Sequence, residues 1–133
     1  MMQRLLTTPA RWAVVGLSDN RTRPAYGVAR YVQNLGMRIV PVHHKADTVH
    51  GARGYRTLAE AVAAEGPIDV VDLFVNSQWV GDVVDQAIEI GAKAVWLQLG
   101  VVDEAAAARA AAAGLAVVMD TCPAIEAPRL GVA

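Results

Sequence analysis

Gly16, Ser18, Arg21, Arg23 and Gly27 fall within one short stretch, "VVGLSDNRTRPAYGVARY" (Val14–Tyr31). Their types suit one task, the holding of phosphate groups. Gly16 allows a tight turn, and Ser18 offers a hydroxyl beside its backbone N–H. Gly27 keeps the first turn of the next helix open, so that an anion can approach the positive helix end. Arg21 and Arg23 add charged, forked donors. The stretch departs from the common G-x-G-x-x-G turn, because no glycine stands between Gly16 and Gly27.

A second group lies in "PVHHKAD", where His43, His44 and Lys45 make a basic corner. A nucleotide fold that takes NAD usually places Asp or Glu there, to accept hydrogen bonds from ribose hydroxyls. A basic corner suits a ribose with an extra phosphate, and both NADP and coenzyme A meet that description. Further along, "WLQLG" carries Gln98, able to bond an amide or a phosphate, and "MDTCPAIE" carries Cys122. No histidine is paired locally with Cys122 to activate a thiolate, so the residue reads as a small hydrophobe. Asp72, inside an apolar run, reads as hydrogen-bonded to nearby donors rather than catalytic. Three histidines and one cysteine show no compact ligand spacing, so no metal site is expected.

The elements that would position these groups are legible from apolar patterning. Five valine-rich, nearly continuous runs read as strands of a parallel sheet covered on both faces. They are Trp12–Leu17, Met37–Val42, Ile68–Val75, Ala92–Leu99 and Leu115–Asp120. Helical patterns alternate with them. Pro24 opens one that ends at Gly36, and Thr57 caps a second, with Glu60 at the capping-box position. A third places Val80, Val83, Val84, Ala87 and Ile88 on one face and stops at Gly91. Asp103 caps a fourth, alanine-rich, which stops at Gly114. The alternation predicts an α/β, Rossmann-like doubly wound five-stranded parallel sheet, order 3-2-1-4-5, with helices on both faces. A ligand would then lie beyond the carboxyl ends of the strands, between the first and fourth. The loops at residues 18–23, 43–56, 75–79, 98–102 and 121–126 would converge there.

Bulk properties narrow the setting. The chain has 133 residues, 54% of them hydrophobic, which suits one domain spanning residues 1–133 with a well-buried core. A net charge of −1 gives no electrostatic footprint for nucleic acid or a membrane surface. No apolar run reaches the ~18 residues of a membrane span, and the start lacks a secretory signal. One cysteine excludes an internal disulfide. A cytoplasmic location is expected.

Together these stretches resemble the small CoA-binding proteins, stand-alone Rossmann domains similar to the N-terminal domain of the succinyl-CoA synthetase α-subunit. The matching segments include "AVVGLSDNRTRPAYGVARYV", "RIVPVH", "IDVVDLFVNS", "IGAKAVWLQLGVVDEAAAARAAAAGLAVVMD" and "CPAIE". The resemblance implies that coenzyme A or an acyl-CoA lies across the carboxyl edge of the sheet. The turn from Gly16 and Ser18 through Arg21, Arg23, Tyr26 and Gly27 would hold its phosphates. Pro41, Val42, His43 and Lys45 would border the adenosine, and Val75, Asn76 and Ser77, with Val80 behind them, would line the crevice. Gln98 and Cys122 would approach the pantetheine arm. The family often reads Val-Asn-Pro where this chain has Val42, His43 and His44. No residue here matches the synthetase's phosphorylated histidine, so ligase activity is not implied. The expected role is a non-catalytic binding or regulatory module for a small-molecule ligand. The alternatives are a small NADP-binding oxidoreductase and an acyl-CoA-sensing subunit of a partner enzyme.

Overall fold

The computed structural model describes residues 1–132. In chain order the elements are α1 (Met2–Thr7), β1 (Arg11–Val15), α2 (Pro24–Asn34), β2 (Arg38–Val42), α3 (Leu58–Glu65) and β3 (Val70–Leu73). There follow α4 (Ser77–Glu89), β4 (Ala94–Leu97), α5 (Glu104–Ala112), β5 (Ala116–Val118) and α6 (Pro123–Arg129). All strand pairings are parallel, with helices on both faces, so the expected fold class is the one observed.

One detail of the topology differs. The strands run β2-β1-β3-β4-β5, so β3 lies between β1 and β4 rather than outside β2. The point where strand order reverses is therefore β1/β3, not the junction of the first and fourth strands. The physical reason is Pro41. It has no N–H to give a ladder, and proline in a sheet is confined largely to edge strands. The 3-2-1-4-5 order would have put β2 inside the sheet. As the edge strand, β2 turns this position outward, where the Pro41 carbonyl accepts from the Tyr55 N–H at 2.9 Å. By contrast, β3 reads Val-Val-Asp-Leu and is buried throughout, as an interior strand must be.

Successive side chains leave a strand on opposite faces. One face carries Ala13, Val40, Val71, Leu73, Val95 and Leu97 against α3, α4 and α5. The other carries Trp12, Val14, Val70 and Trp96 against α1, α2 and α6. The two tryptophan rings meet there at 5.5 Å between centroids, tilted by 40°.

The expected caps form. Thr57 Oγ1 accepts from Glu60 N–H at 3.1 Å and Asp103 Oδ1 from Ala106 N–H at 2.9 Å. Gly36, Gly91 and Gly114 stop their helices at positive φ. Two helices, α1 and α6, have no counterpart in the sequence-based reading. Each is short, and each adds one buried side chain or more to the α2 side: Leu6 from α1, Pro123 and Ala127 from α6. Among the described residues no helix is long and apolar enough to cross a membrane.

Candidate functional site

A crevice of about 740 Å³ opens at the carboxyl edge of the sheet, over the β1/β3 junction. Its floor starts at the end of β1. The Gly16 N–H donates to the Val42 carbonyl at 2.8 Å, which ties the turn to β2. Gly16 has φ +96°, and a Cβ there would run into the backbone oxygen of Phe74. The turn beyond it is built from its own side chains. Ser18 Oγ accepts from Asn20 N–H at 3.2 Å, and Asn20 Oδ1 accepts from Thr22 N–H at 3.1 Å. This leaves the Ser18 hydroxyl proton for another acceptor.

The turn leads into α2, whose N-cap Arg23 makes no side-chain capping bond. Pro24 at the first position has no N–H to satisfy, and Pro24, Ala25 and the Arg23 side chain all line the crevice. An uncapped N-terminus of an 11-residue helix, with an arginine beside it, is a ready place for an anion.

Across from it stands the β2 end. His43 and His44 both line the crevice, their rings 4.1 Å apart. His43 Nδ1 accepts from Lys45 N–H at 3.1 Å, which leaves Nε2 as the protonated nitrogen of the neutral ring. Burial, then the neighbouring His44 and Lys45, push its pKa below the usual histidine value, so at pH 7 it is a neutral donor. The fixed positive charge here comes from Arg56. The chain leaves β2, loops out and returns beside Val42 at Tyr55, and this return delivers Arg56 to the crevice.

The third and fourth strands complete the wall with Phe74, Val75, Asn76, Gln98, Leu99 and Val101. Asn76 is the N-cap of α4, its Oδ1 accepting from Gln78 N–H at 3.0 Å. Cys122, half-buried, closes the far end from the N-cap of α6. The loops are latched to one another. Ser77 Oγ donates to the Gly100 carbonyl at 3.2 Å and accepts from Val102 N–H at 3.0 Å. Asp120 Oδ1 accepts from Gly100 N–H at 2.8 Å.

Of the expected site residues, Gly16, Ser18, Arg23, Val42, His43, Val75, Asn76, Gln98 and Cys122 line one crevice. The remaining expected residues sit elsewhere. Arg21 lies 5.9 Å from the Tyr26 ring centre, and that ring packs on His50 at 4.3 Å. Gly27 faces open space, Pro41 is buried in β2, and Lys45 is exposed beyond the lining. Ser77 serves as a latch, and Val80 is core beneath α4. His44, named with the basic corner, lines the crevice beside His43, and Arg56, Phe74 and Leu99 are lining residues that the expected set lacks.

Beneath Gln98 lies Asp72, whose Oδ1 accepts from Gln98 Nε2. Its Oδ2 is buried with no partner, so the expected satisfaction by nearby donors is only half met. Burial pushes the Asp72 carboxyl up to about 7.

Comparison with known proteins places the chain in a family and a fold. The family described as "CoA binding domain" matches residues 10–128. The Bacillus subtilis (strain 168) protein YneT is 34% identical over 121 residues, which cover 91% of this chain and 87% of that protein. A solved structure from Pyrococcus horikoshii OT3 is 34% identical with a TM-score of 0.88, covering 97% of this chain and 89% of that one. The dinucleotide forming acetyl-coenzyme A synthetase 1 of Ca. Korarchaeum cryptofilum shares the fold at 22% identity and a TM-score of 0.73. The match there covers 90% of this chain and 28% of that longer one.

Proposed function

The chain belongs to the CoA binding domain family, and on that premise we propose that its β1/β3 crevice binds coenzyme A or an acyl-CoA. The protein acts as a non-catalytic binding or regulatory module in the cytoplasm. The observation that carries this reading is the meeting of an open helix N-terminus, the Gly16–Ser18 turn and two arginines around one crevice. The diphosphate sits at the turn and the start of α2, where the Ser18 hydroxyl, the Ala25 N–H and Arg23 line the crevice. The ribose phosphate meets Arg56, with the His43 Nε2–H as a neutral donor and the His44 ring beside it. The pantetheine arm runs past Gln98 toward Cys122, along the apolar wall of Phe74, Val75 and Leu99. The protein partner, if the module is regulatory, would read whether this crevice is filled.

A basic corner also suits the 2′-phosphate of NADP, so a small oxidoreductase is the second reading. Calorimetry with CoA, dephospho-CoA, NADP and NAD separates the two. CoA is expected to bind most tightly, with dephospho-CoA weaker. Tighter binding of NADP than of CoA would replace the first reading by the second. Mass spectrometry of the ligand retained on purification gives an independent answer.

A further inference from the structure

Asp72 stands in β3 on the sheet face that carries Trp12, Val14 and Trp96, beneath the apolar sides of α1, α2 and α6. It is 0% exposed, and one of its oxygens has no partner. Such a carboxyl is costly to keep, because a buried polar atom without a partner forfeits its hydration. Among the described residues its one side-chain partner is Gln98, itself 3% exposed and part of the crevice wall. The pair therefore joins the interior of the sheet to the surface a ligand touches.

A primary amide has two different ends, an accepting oxygen and a donating nitrogen. A carboxylate can only accept. Facing Asp72, Gln98 must turn Nε2 inward and Oε1 away. We propose that Asp72 is a positioning residue that fixes the Gln98 amide with Oε1 presented to the crevice as an acceptor, so that the ligand group met there is a hydrogen-bond donor. An amide N–H or a hydroxyl qualifies, whereas a phosphate, rich in acceptor oxygens, is repelled. This assignment rests on the coenzyme A reading above and deepens it: the arm of that ligand carries both amide N–H groups and a hydroxyl.

Protonation loosens the constraint. A neutral acid can donate to Oε1, which allows the amide to turn over and offer Nε2 instead. The displaced titration of Asp72 near neutrality puts this change in an accessible range, with burial as its leading cause. No charged side chain contributes to that displacement, neither from the apolar helices packed on this face nor from Arg23, Arg56, His43 or His44 around the crevice.

The test has a ligand-free arm and a ligand arm. In the free protein, the side-chain amide resonance of Gln98 is followed by NMR against pH. It is expected to titrate near neutrality in the wild type and to be flat in Asp72→Asn. Coenzyme A is then titrated by calorimetry at pH 8. Asp72→Asn, whose amide can donate as well as accept, should weaken binding about fivefold, the weight of one ordinary hydrogen bond. The double variant Asp72→Asn with Gln98→Glu again turns an accepting oxygen to the crevice, held by the Asn N–H, and should recover most of the loss. A Gln98 amide resonance that is the same in the wild type and Asp72→Asn overturns the positioning role. Unchanged affinity in Asp72→Asn, or no recovery in the double variant, overturns the presentation of an acceptor to the ligand. A wild type that binds no coenzyme A removes the functional reading instead, and the NMR arm still decides the role of Asp72.

Discussion

The backbone oxygen of Phe74 fills the place where a side chain on Gly16 would stand. Gly16 follows β1 and Phe74 follows β3, so this contact is the floor of the crevice at the reversal point. The Phe74 N–H donates to the Val15 carbonyl at 2.9 Å, which holds the two segments at that distance. Gly16 is thus required by close approach and by its φ of +96°.

Gly16→Ala should destabilise the fold by more than about 1 kcal/mol, the usual cost of placing alanine at positive φ, before the collision is counted. Thermal unfolding reads the effect directly. A melting temperature equal to that of the wild type would show that the turn can move away from Phe74.

Arg23→Ala should weaken coenzyme A binding with the fold intact. A hydrogen bond to a charged group contributes about 1.5–3 kcal/mol, roughly ten- to a hundredfold in affinity. Unchanged affinity would take Arg23 out of the site.

Arg56 and Lys45 give opposite expectations, since Arg56 lines the crevice and Lys45 does not. Coenzyme A should bind more tightly than dephospho-CoA, and Arg56→Ala should narrow that preference while Lys45→Ala leaves it in place. The preference should also shrink at high salt, because Arg56 is solvent-exposed. A preference abolished by Lys45→Ala alone would reverse the assignment.

Asp72 predicts a stability profile. Its carboxyl is raised from 3.8 to about 7 on folding. Between those values the folded chain holds a proton that the unfolded chain has lost, so stability falls as pH rises through that window and levels off above it. The fall is on the order of a few kcal/mol. Asp72→Asn has no charge to bury, so its melting temperature should gain on the wild type from pH 5 to pH 8. Parallel profiles for the two proteins would remove the linkage. The variant is thus expected to be the more stable protein and the weaker binder at pH 8.

Cys122 lines the crevice, and coenzyme A ends in a thiol. Two thiols in one crevice can be oxidised to a mixed disulfide without any catalytic role for the cysteine. Mild oxidation in the presence of coenzyme A should give a slow, reducible adduct of coenzyme A mass, absent in Cys122→Ser. Intact-protein mass spectrometry reads it. No adduct on a protein shown to hold the ligand would mean that the arm ends away from Cys122.

What the sequence disclosed followed the range of the interaction. The strands and the capped helices rest on neighbours in the chain, and Thr57, Asp103 and Gly114 stand where expected. Pro41 carried the evidence for an edge strand, yet the right-handed crossover rule admits both strand orders and left that evidence unused. Arg56 reaches the crevice only because Tyr55 returns beside Val42, a long-range pairing with no local signature. Lys45 and Arg21 had the right chemistry and the wrong direction, since loop side chains follow no fixed period. The α6 helix opens with a proline at its first position, a legible start, but Pro128 inside it breaks the usual pattern.

The place of β1 in the sheet also sets the order in which the molecule can be made. Of these five strands β1 is synthesised first, and its ladder partners β2 and β3 come later and on opposite sides. A nascent chain that has released only β1, α2 and β2 holds one parallel pair, with the β3 side of β1 still an open edge. That edge offers unpaired N–H and C=O groups to any other extended segment. Not until Leu73 has left the ribosome can β3 cover it, and only then does Phe74 reach Gly16 and give the crevice a floor. A ligand that needs this floor cannot template the early chain, and the β3 side of β1 stays an exposed edge until β3 follows.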